Sequence, residues 1–358
     1  MIEIPSPSAA LIITRCRGLA RSAAGGFLAG VVGLGLCGCG WSREGGEPTT
    51  GGSAPTQSRS SSEAMAMPDA VSQAMQARQR GDLDRARAEF ERAIAENPTL
   101  TIAYMGAADI DRERGDYRSA ERNYSKASEL EPGNFDAQFG HGLSLQMLNR
   151  LTEAVRAYLR ALTIRPDDLN ANLNLGTTYL QVGEPAQGLS YAQRAARIDP
   201  RNAAARTNLG AIYASLGRHA EAVVEYQQAS ELTELTPPLL LNLADSLGKV
   251  NRLEEMVNTL RQAIDLEPSA TAYERLGSGL FRLRYYDEAL TAFRKSMAID
   301  PGFYPAINGV AVCRLNQFVW SDRTDQAARD EAVQLMRRSL QIERRQPRIV
   351  DLLSRYQP

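Results

Sequence analysis

The 358-residue sequence predicts an all-α solenoid, a stack of antiparallel helix pairs, and three regularities carry that prediction. Prolines recur at Pro98, Pro132, Pro166 and Pro200, each 34 residues after the last, and Pro268 falls two periods beyond Pro200. A fixed period of that length means that one supersecondary unit is being copied. Small residues hold the eighth position of every unit (Ala74, Ala108, Gly142, Gly176, Gly210, Ala244, Gly277), while the twenty-fourth is usually large (Phe90, Tyr124, Tyr158, Tyr226, Leu260, Phe293). Small against large at constant spacing is what two packed helices need, since one lets the backbones approach and the other fills the hole between turns. Finally, Gly81, Gly115, Gly183 and Gly217 stand in mid-unit, with Asn149 and Asn251 at the same place in two others. Both residue types take the left-handed conformation that ends a helix.

The units begin at Met67, Thr101, Phe135, Leu169, Ala203, Pro237 and, after a one-residue deletion, Ala270. Each divides at its central glycine or asparagine into two helices of about four turns, and proline closes the second. Position 20 is mostly alanine (Ala86, Ala120, Ala154, Ala222, Ala289), with Gly188 and Met256 departing. In the fourth unit Ala192 replaces the large residue, and neighbouring Tyr191 is expected to fill its place. After Pro301, YPAINGVAVCRLNQ opens an eighth unit, FVWSDRTDQAARDE intervenes, and EAVQLMRRSLQI supplies a second helix. This predicts an insertion of about nine residues relative to the period. Phe318 and Trp320 within it are read either as packing against the cap or as a contact site. PRIVDLLSRY then reads as a capping helix with the polar outer face that terminal repeats need.

With these residues in place, the array over 67–303 resembles the tetratricopeptide repeat, and 304–358 a degenerate repeat with a cap. The resemblance implies a right-handed superhelix whose first helices line a concave groove, and protein partners. In that family positions 2, 5, 6, 9, 12 and 13 of the first helix tend to meet ligands. Position 6 holds Asn174, Asn208 and Asn242, then Arg275. A carboxamide offers two donors and an acceptor, so such a row would bond the amides of an extended peptide, as in the similar asparagine ladder of the O-GlcNAc transferase repeats. Phe139, Leu143 and Leu173, with Met105, Met147, Leu180 and Leu241, would give the groove an apolar lining suited to an extended peptide or a partner helix. The two-carboxylate clamp of chaperone-binding repeats needs lysines at position 2, where this chain has Asn170, Ala204 and Pro238.

Ahead of the array, Arg15, Arg17 and Arg21 precede an uncharged run from Ser22 to Ser42, the layout of a secretory signal over residues 1–38. Leu36-Cys37-Gly38-Cys39 resembles the bacterial lipobox, which implies cleavage before Cys39 and its diacylation. Two or more acyl chains hold a protein on a membrane. The alternative is an uncleaved anchor, because those 21 uncharged residues are long enough to span a bilayer. Gly40, where a retention aspartate would stand, leans toward the outer membrane, facing the periplasm. Residues 39–66, rich in Gly, Ser, Thr and Pro, read as a flexible linker. The run also contains Gly33-x-Gly35-x-x-Gly38, but no strand precedes it and it has no dinucleotide-binding context.

A net charge of −1 gives no basic excess for nucleic acid. Three of the four cysteines (Cys16, Cys37, Cys39) lie in the first 39 residues and the only histidines are His141 and His219, so no metal site, disulfide framework or cofactor is expected. Cys313 has no histidine near it in sequence, and no catalytic constellation is legible. The expected protein is a membrane-tethered scaffold of the bacterial cell envelope that binds protein partners in its groove. The rival reading is a glycan-binding or regulatory subunit of a polysaccharide, peptidoglycan or secretion complex, and a 6% aromatic content speaks against stacking on sugars.

Overall fold

The computed structural model describes residues 68–357. The expected signal, Cys39 and the linker lie outside them. Seventeen α-helices follow one another among the described residues: α1 (Asp69–Gln79), α2 (Leu83–Glu96), α3 (Thr101–Glu113), α4 (Tyr117–Leu130), α5 (Phe135–Met147), α6 (Leu151–Ile164), α7 (Leu169–Val182), α8 (Pro185–Ile198), α9 (Ala203–Ser215), α10 (His219–Leu232), α11 (Pro237–Lys249), α12 (Leu253–Leu266), α13 (Ala270–Arg282), α14 (Tyr286–Ile299), α15 (Tyr304–Trp320), α16 (Gln326–Ile342) and α17 (Pro347–Tyr356). They pair as α1–α2 through α15–α16, and α17 closes the end. The fold is all-α and superhelical, as expected.

Local chemistry sets the ends of these helices. Asp82, Asp116, Asn134, Asp168, Asn202, Ser269 and Asp325 each accept the N–H three residues on, at 2.8 to 3.2 Å, which satisfies a donor that the first turn leaves free. The turns inside the pairs take φ of +78°, +77°, +88° and +74° at Gly81, Gly115, Gly183 and Gly217, and +58° and +61° at Asn149 and Asn251. In the seventh pair Arg284 takes that place at φ +69°, a residue type that gave no warning in the sequence.

Packing follows the small-against-large rule and extends it across repeats. A Cβ on Gly142, Gly210 or Gly277 would meet the ring of Tyr158, Tyr226 or Phe293 of the same pair at 2.7 to 2.8 Å. At position 6, Gly106, Gly140 and Gly309 press in the same way on Phe90, Tyr124 and Phe293 of the preceding pair, at 2.2 to 2.4 Å. Real Cβ atoms do not come so close, so these glycines are places where backbone must touch ring.

Two expectations are corrected. Tyr191 does not fill the place left by Ala192; its ring stacks on Tyr179 with centroids 6.0 Å apart. The hole is closed by approach instead, for a Cβ on Gly188 would lie 3.0 Å from the Gly176 carbonyl oxygen and one on Gly176 only 3.4 Å from Ala192. The expected insertion is present in the eighth pair, but it forms no separate segment between the helices. The extra residues lengthen α15 and α16 to 17 residues each, where the preceding pairs use 11 to 14. Phe318 is buried and meets the ring of Tyr356 on α17 edge-on at 6.3 Å, so it packs against the cap. Trp320 packs on Tyr286, centroids 4.5 Å apart, and stays 48% exposed.

Each helix packs on its chain neighbours, and the first helices of successive pairs also touch one another, more extensively than any two second helices do. The layer therefore curves with α3, α5, α7, α9, α11 and α13 on its inner face. The apolar core falls into separate clusters, from Ala70 to Ile110, from Phe135 to Tyr179 and, the largest, from Ala192 to Leu352, with a small one of Ala108, Ala120 and Tyr124 in the second pair. Polar contacts border it on both sides: buried Asp111 on α3 accepts from Arg87 of the first pair (2.8 Å) and from Asn123 of its own pair (2.9 Å), and between the second and third pairs Glu121 sits between His141 (3.3 Å) and Arg150 (3.1 Å).

Candidate protein-binding groove

The middle of the inner face is built by α5, α7 and α9. Phe139 is fixed by stacking on Phe135 (5.7 Å) and tilting against Tyr158 (5.8 Å), which leaves it half-buried beside half-buried Leu143, Leu173 and Leu180. Met147 stands 58% exposed. A chain of neutral hydrogen bonds crosses this floor: the Tyr158 hydroxyl donates to Gln146 Oε1 (2.8 Å), and Gln146 Nε2 donates to Gln181 Oε1 (3.0 Å). Of positions 2, 5, 6, 9, 12 and 13 on these three helices only Asp136, in the first turn of α5, is ionisable, and it is paired with Arg165 (3.7 Å).

Charges stand at both ends of that stretch. On one side Arg78 pairs with Asp109 (3.2 Å) and Glu113, and the Tyr124 hydroxyl donates to Asp109 (2.5 Å). On the other, Arg275 pairs with Asp245 (2.9 Å), and Glu274, buried next to it, accepts from Ser278 Oγ (3.0 Å). Burial pushes the Glu274 carboxyl above the usual carboxylate range, with Ser278 and Arg275 drawing it back. The array thus presents a neutral, partly apolar floor between two ion-paired shoulders.

The four residues expected to form a ladder fall into different environments. Asn242 is exposed and Asn174 half-buried. Asn208 is buried, and its Nδ2 donates to the Leu173 carbonyl (2.9 Å) and to Thr177 Oγ1 (2.5 Å) on α7, so both of its donor hydrogens are committed inside the protein. Arg275 reaches back one repeat in the same manner, donating to the Leu241 carbonyl (3.3 Å) while paired with Asp245. Position 6 is thus a joint between repeats as well as a groove position. The glycines at this position in α3, α5 and α15 were the signal in the sequence for that role.

The reactive side chains lie apart from this floor. Cys313 is buried, and burial pushes its thiol up to about 12, so it is protonated at neutral pH. His141 is buried, and burial holds its imidazole below its ordinary value, opposed by Glu121. Burial and Lys249 lower His219 similarly. Among the described residues no group of three His, Cys, Asp or Glu is placed to hold a metal ion, and no helix is long and apolar enough to cross a membrane.

A curved layer of helix pairs with a neutral inner floor defines a repeat scaffold of the kind that binds other proteins. Tetratricopeptide repeat models match residues 105–168, 173–237, 237–269 and 270–303, together more than half of the sequence, and the chain belongs to that family. Among solved structures it is similar to a chain of the APC/C hetero-tetramer Cut9–Hcn1, at 19% identity over 77% of this chain and 53% of that one, with a TM-score of 0.53. The chain thus spans about half the length of that relative. It is also similar to YrrB, described as a TPR protein with an unusual peptide-binding site (19% identity, 56% and 99% covered, TM-score 0.46), and to PilF of Pseudomonas aeruginosa (19% identity, 57% and 93% covered, TM-score 0.49). At these identities the likeness is one of fold. No curated protein matches the sequence.

Proposed function

We propose that the protein is a membrane-tethered scaffold of the bacterial cell envelope, lipidated at Cys39, that holds a protein partner in its groove and transforms nothing itself. The observation that supports this reading most is the uncharged floor of α5, α7 and α9 between ion-paired shoulders. An extended peptide or amphipathic helix would lay apolar side chains on Phe139, Leu143 and Leu173 and meet amides at Asn174, Asn242 and Gln181. A sugar chain, the rival ligand, is less well served, because the aromatic groups of this floor are engaged with one another rather than presented.

The test is a crosslinked capture from intact cells that compares wild type with Met147→Glu/Asn242→Ala, both exposed and both free of internal bonds that would confound the result. Loss of one captured envelope protein in the variant supports the groove, and undiminished capture sinks it. Cys39→Ser, followed by membrane fractionation, tests the tether separately: the protein should leave the membrane fraction, and a chain that stays would be anchored by other means.

A further inference from the structure

Arg337, Arg338, Arg344, Arg345 and Arg348 all lie exposed at one end of the array, on the last two turns of α16, the connection to α17 and the first turn of α17. Against these five arginines, residues 337–348 contain one acid, Glu343, whose Oε1 accepts the backbone N–H of Arg345 at 2.8 Å. Arg338 donates to the Pro301 carbonyl (2.5 Å), and among the described residues none of the five has a carboxylate partner. Elsewhere arginines at the heads of second helices are paired, as in Arg150–Glu153 (2.6 Å), Arg218–Glu221 and Arg252–Glu255 (2.5 Å), and the arginines without a carboxylate do not gather five in one stretch of twelve residues.

Helix electrostatics explain only part of this cluster. Arg337 and Arg338 stand ahead of the last turn of α16, where the dipole gives them little, and Arg348 stands in the first turn of α17, where the dipole repels cations. Arg344 and Arg345 lie on no helix. Two aliphatic side chains rise among the arginines, Ile342 at 46% and Val350 at 50% exposed.

We propose that this end of the solenoid docks on an anionic membrane face, its arginines on phospholipid phosphates and Ile342 and Val350 in the headgroup layer. Clusters of about four to eight basic residues are what such surfaces bind, and the guanidinium fork matches phosphate geometry. Exposed aliphatics beside cations are the composition of an interfacial contact. An acidic protein segment would match the charge but gives the two aliphatics nothing to do. The proposal uses neither the groove nor Cys39, so it stands whether or not the chain is lipidated.

The experiment is co-sedimentation of the full chain with vesicles of phosphatidylglycerol and phosphatidylcholine, against phosphatidylcholine alone. Arg344→Glu/Arg345→Glu/Arg348→Glu is compared with wild type; an acid at 348 suits the helix dipole, and Arg344→Gln/Arg345→Gln is the milder substitute should the triple variant misfold. The N-terminal run is common to all chains and cancels. Wild type should bind the anionic vesicles and release in salt, and the triple variant should bind roughly a hundredfold more weakly. Ile342→Ser/Val350→Ser should weaken binding severalfold with the salt dependence kept. Equal binding by wild type and the triple variant would overturn the proposal. So would capture of polyglutamate, but not vesicles, through these arginines, which would assign the surface to an acidic polypeptide.

Discussion

The side-chain amide of Asn208 on α9 donates to the backbone carbonyl of Leu173 on α7, 2.9 Å away and one repeat back. An asparagine at a groove position is therefore also a rivet between repeats. Asn208→Ala should cost about 1 kcal/mol, because the carbonyl keeps its bond from Thr177 (2.9 Å) while the buried amide pair is lost. Asn242→Ala, at an exposed site, should stay within about 0.5 kcal/mol of wild type. Urea midpoints of the two variants check the contrast, and equal midpoints would remove the rivet.

Phe293 lies between two glycines, Gly277 of its own pair and Gly309 of the next, with virtual Cβ atoms 2.8 and 2.4 Å from its ring. Alanine raises helix propensity by about 1 kcal/mol over glycine, yet Gly309→Ala should lower stability by about 1–3 kcal/mol through overpacking. Combining it with Phe293→Leu should recover part of that loss. Thermal melts of the four chains of this cycle give the coupling directly.

Arg284 occupies the left-handed turn position of the seventh pair at φ +69°. A non-glycine residue there carries about 1–2 kcal/mol of strain, partly returned by the stiffer unfolded chain. Arg284→Gly should stabilise the protein by up to about 1 kcal/mol, and a fall in melting temperature would contradict it.

His141 is faced by Glu121 of α4, by Arg150 at the head of α6 and by Arg160 along it. Burial lowers its folded pKa, Glu121 opposes this, and the two arginines add to it. The unfolded chain takes up a proton near about pH 6.5. The folded chain does so only at lower pH, so stability is fullest above that value and declines as pH falls through the folded pKa. Between about pH 7.5 and pH 5.5, His141→Gln should lose less stability than wild type, by up to about 1 kcal/mol. Unfolding free energies at the two pH values settle the sign.

The fold was legible because it repeats: a proline period, a small residue at position 8 and a left-handed turn residue recur often enough to average out departures. What could not be read were local exceptions. Arg284 sits where glycine or asparagine would announce a turn, and Ala192 is accommodated by backbone approach rather than by Tyr191. Of the candidate site, the apolar lining was readable from helical register. The commitment of Asn208 was not, because whether an amide faces solvent or the preceding helix depends on how two repeats are set against each other. The arginines of α16 and α17 were visible as letters, but their lack of carboxylate partners is a fact of three dimensions.

The second pair, whose apolar cluster is only Ala108, Ala120 and Tyr124 and which is bordered by Asp111 with Arg87 on one side and by Glu121 with His141 and Arg150 on the other, also has a mechanical meaning. Hydrogen bonds and ion pairs are short-ranged, so they break over a smaller extension than the long interdigitated surface that begins at Ala192. If the array is pulled from its two ends, the pairs ahead of that long core give way before those within it. Pulled in an optical trap, the first repeats would lengthen in separate steps while the repeats beyond Ala192 keep their shape, a graded yielding along one solenoid.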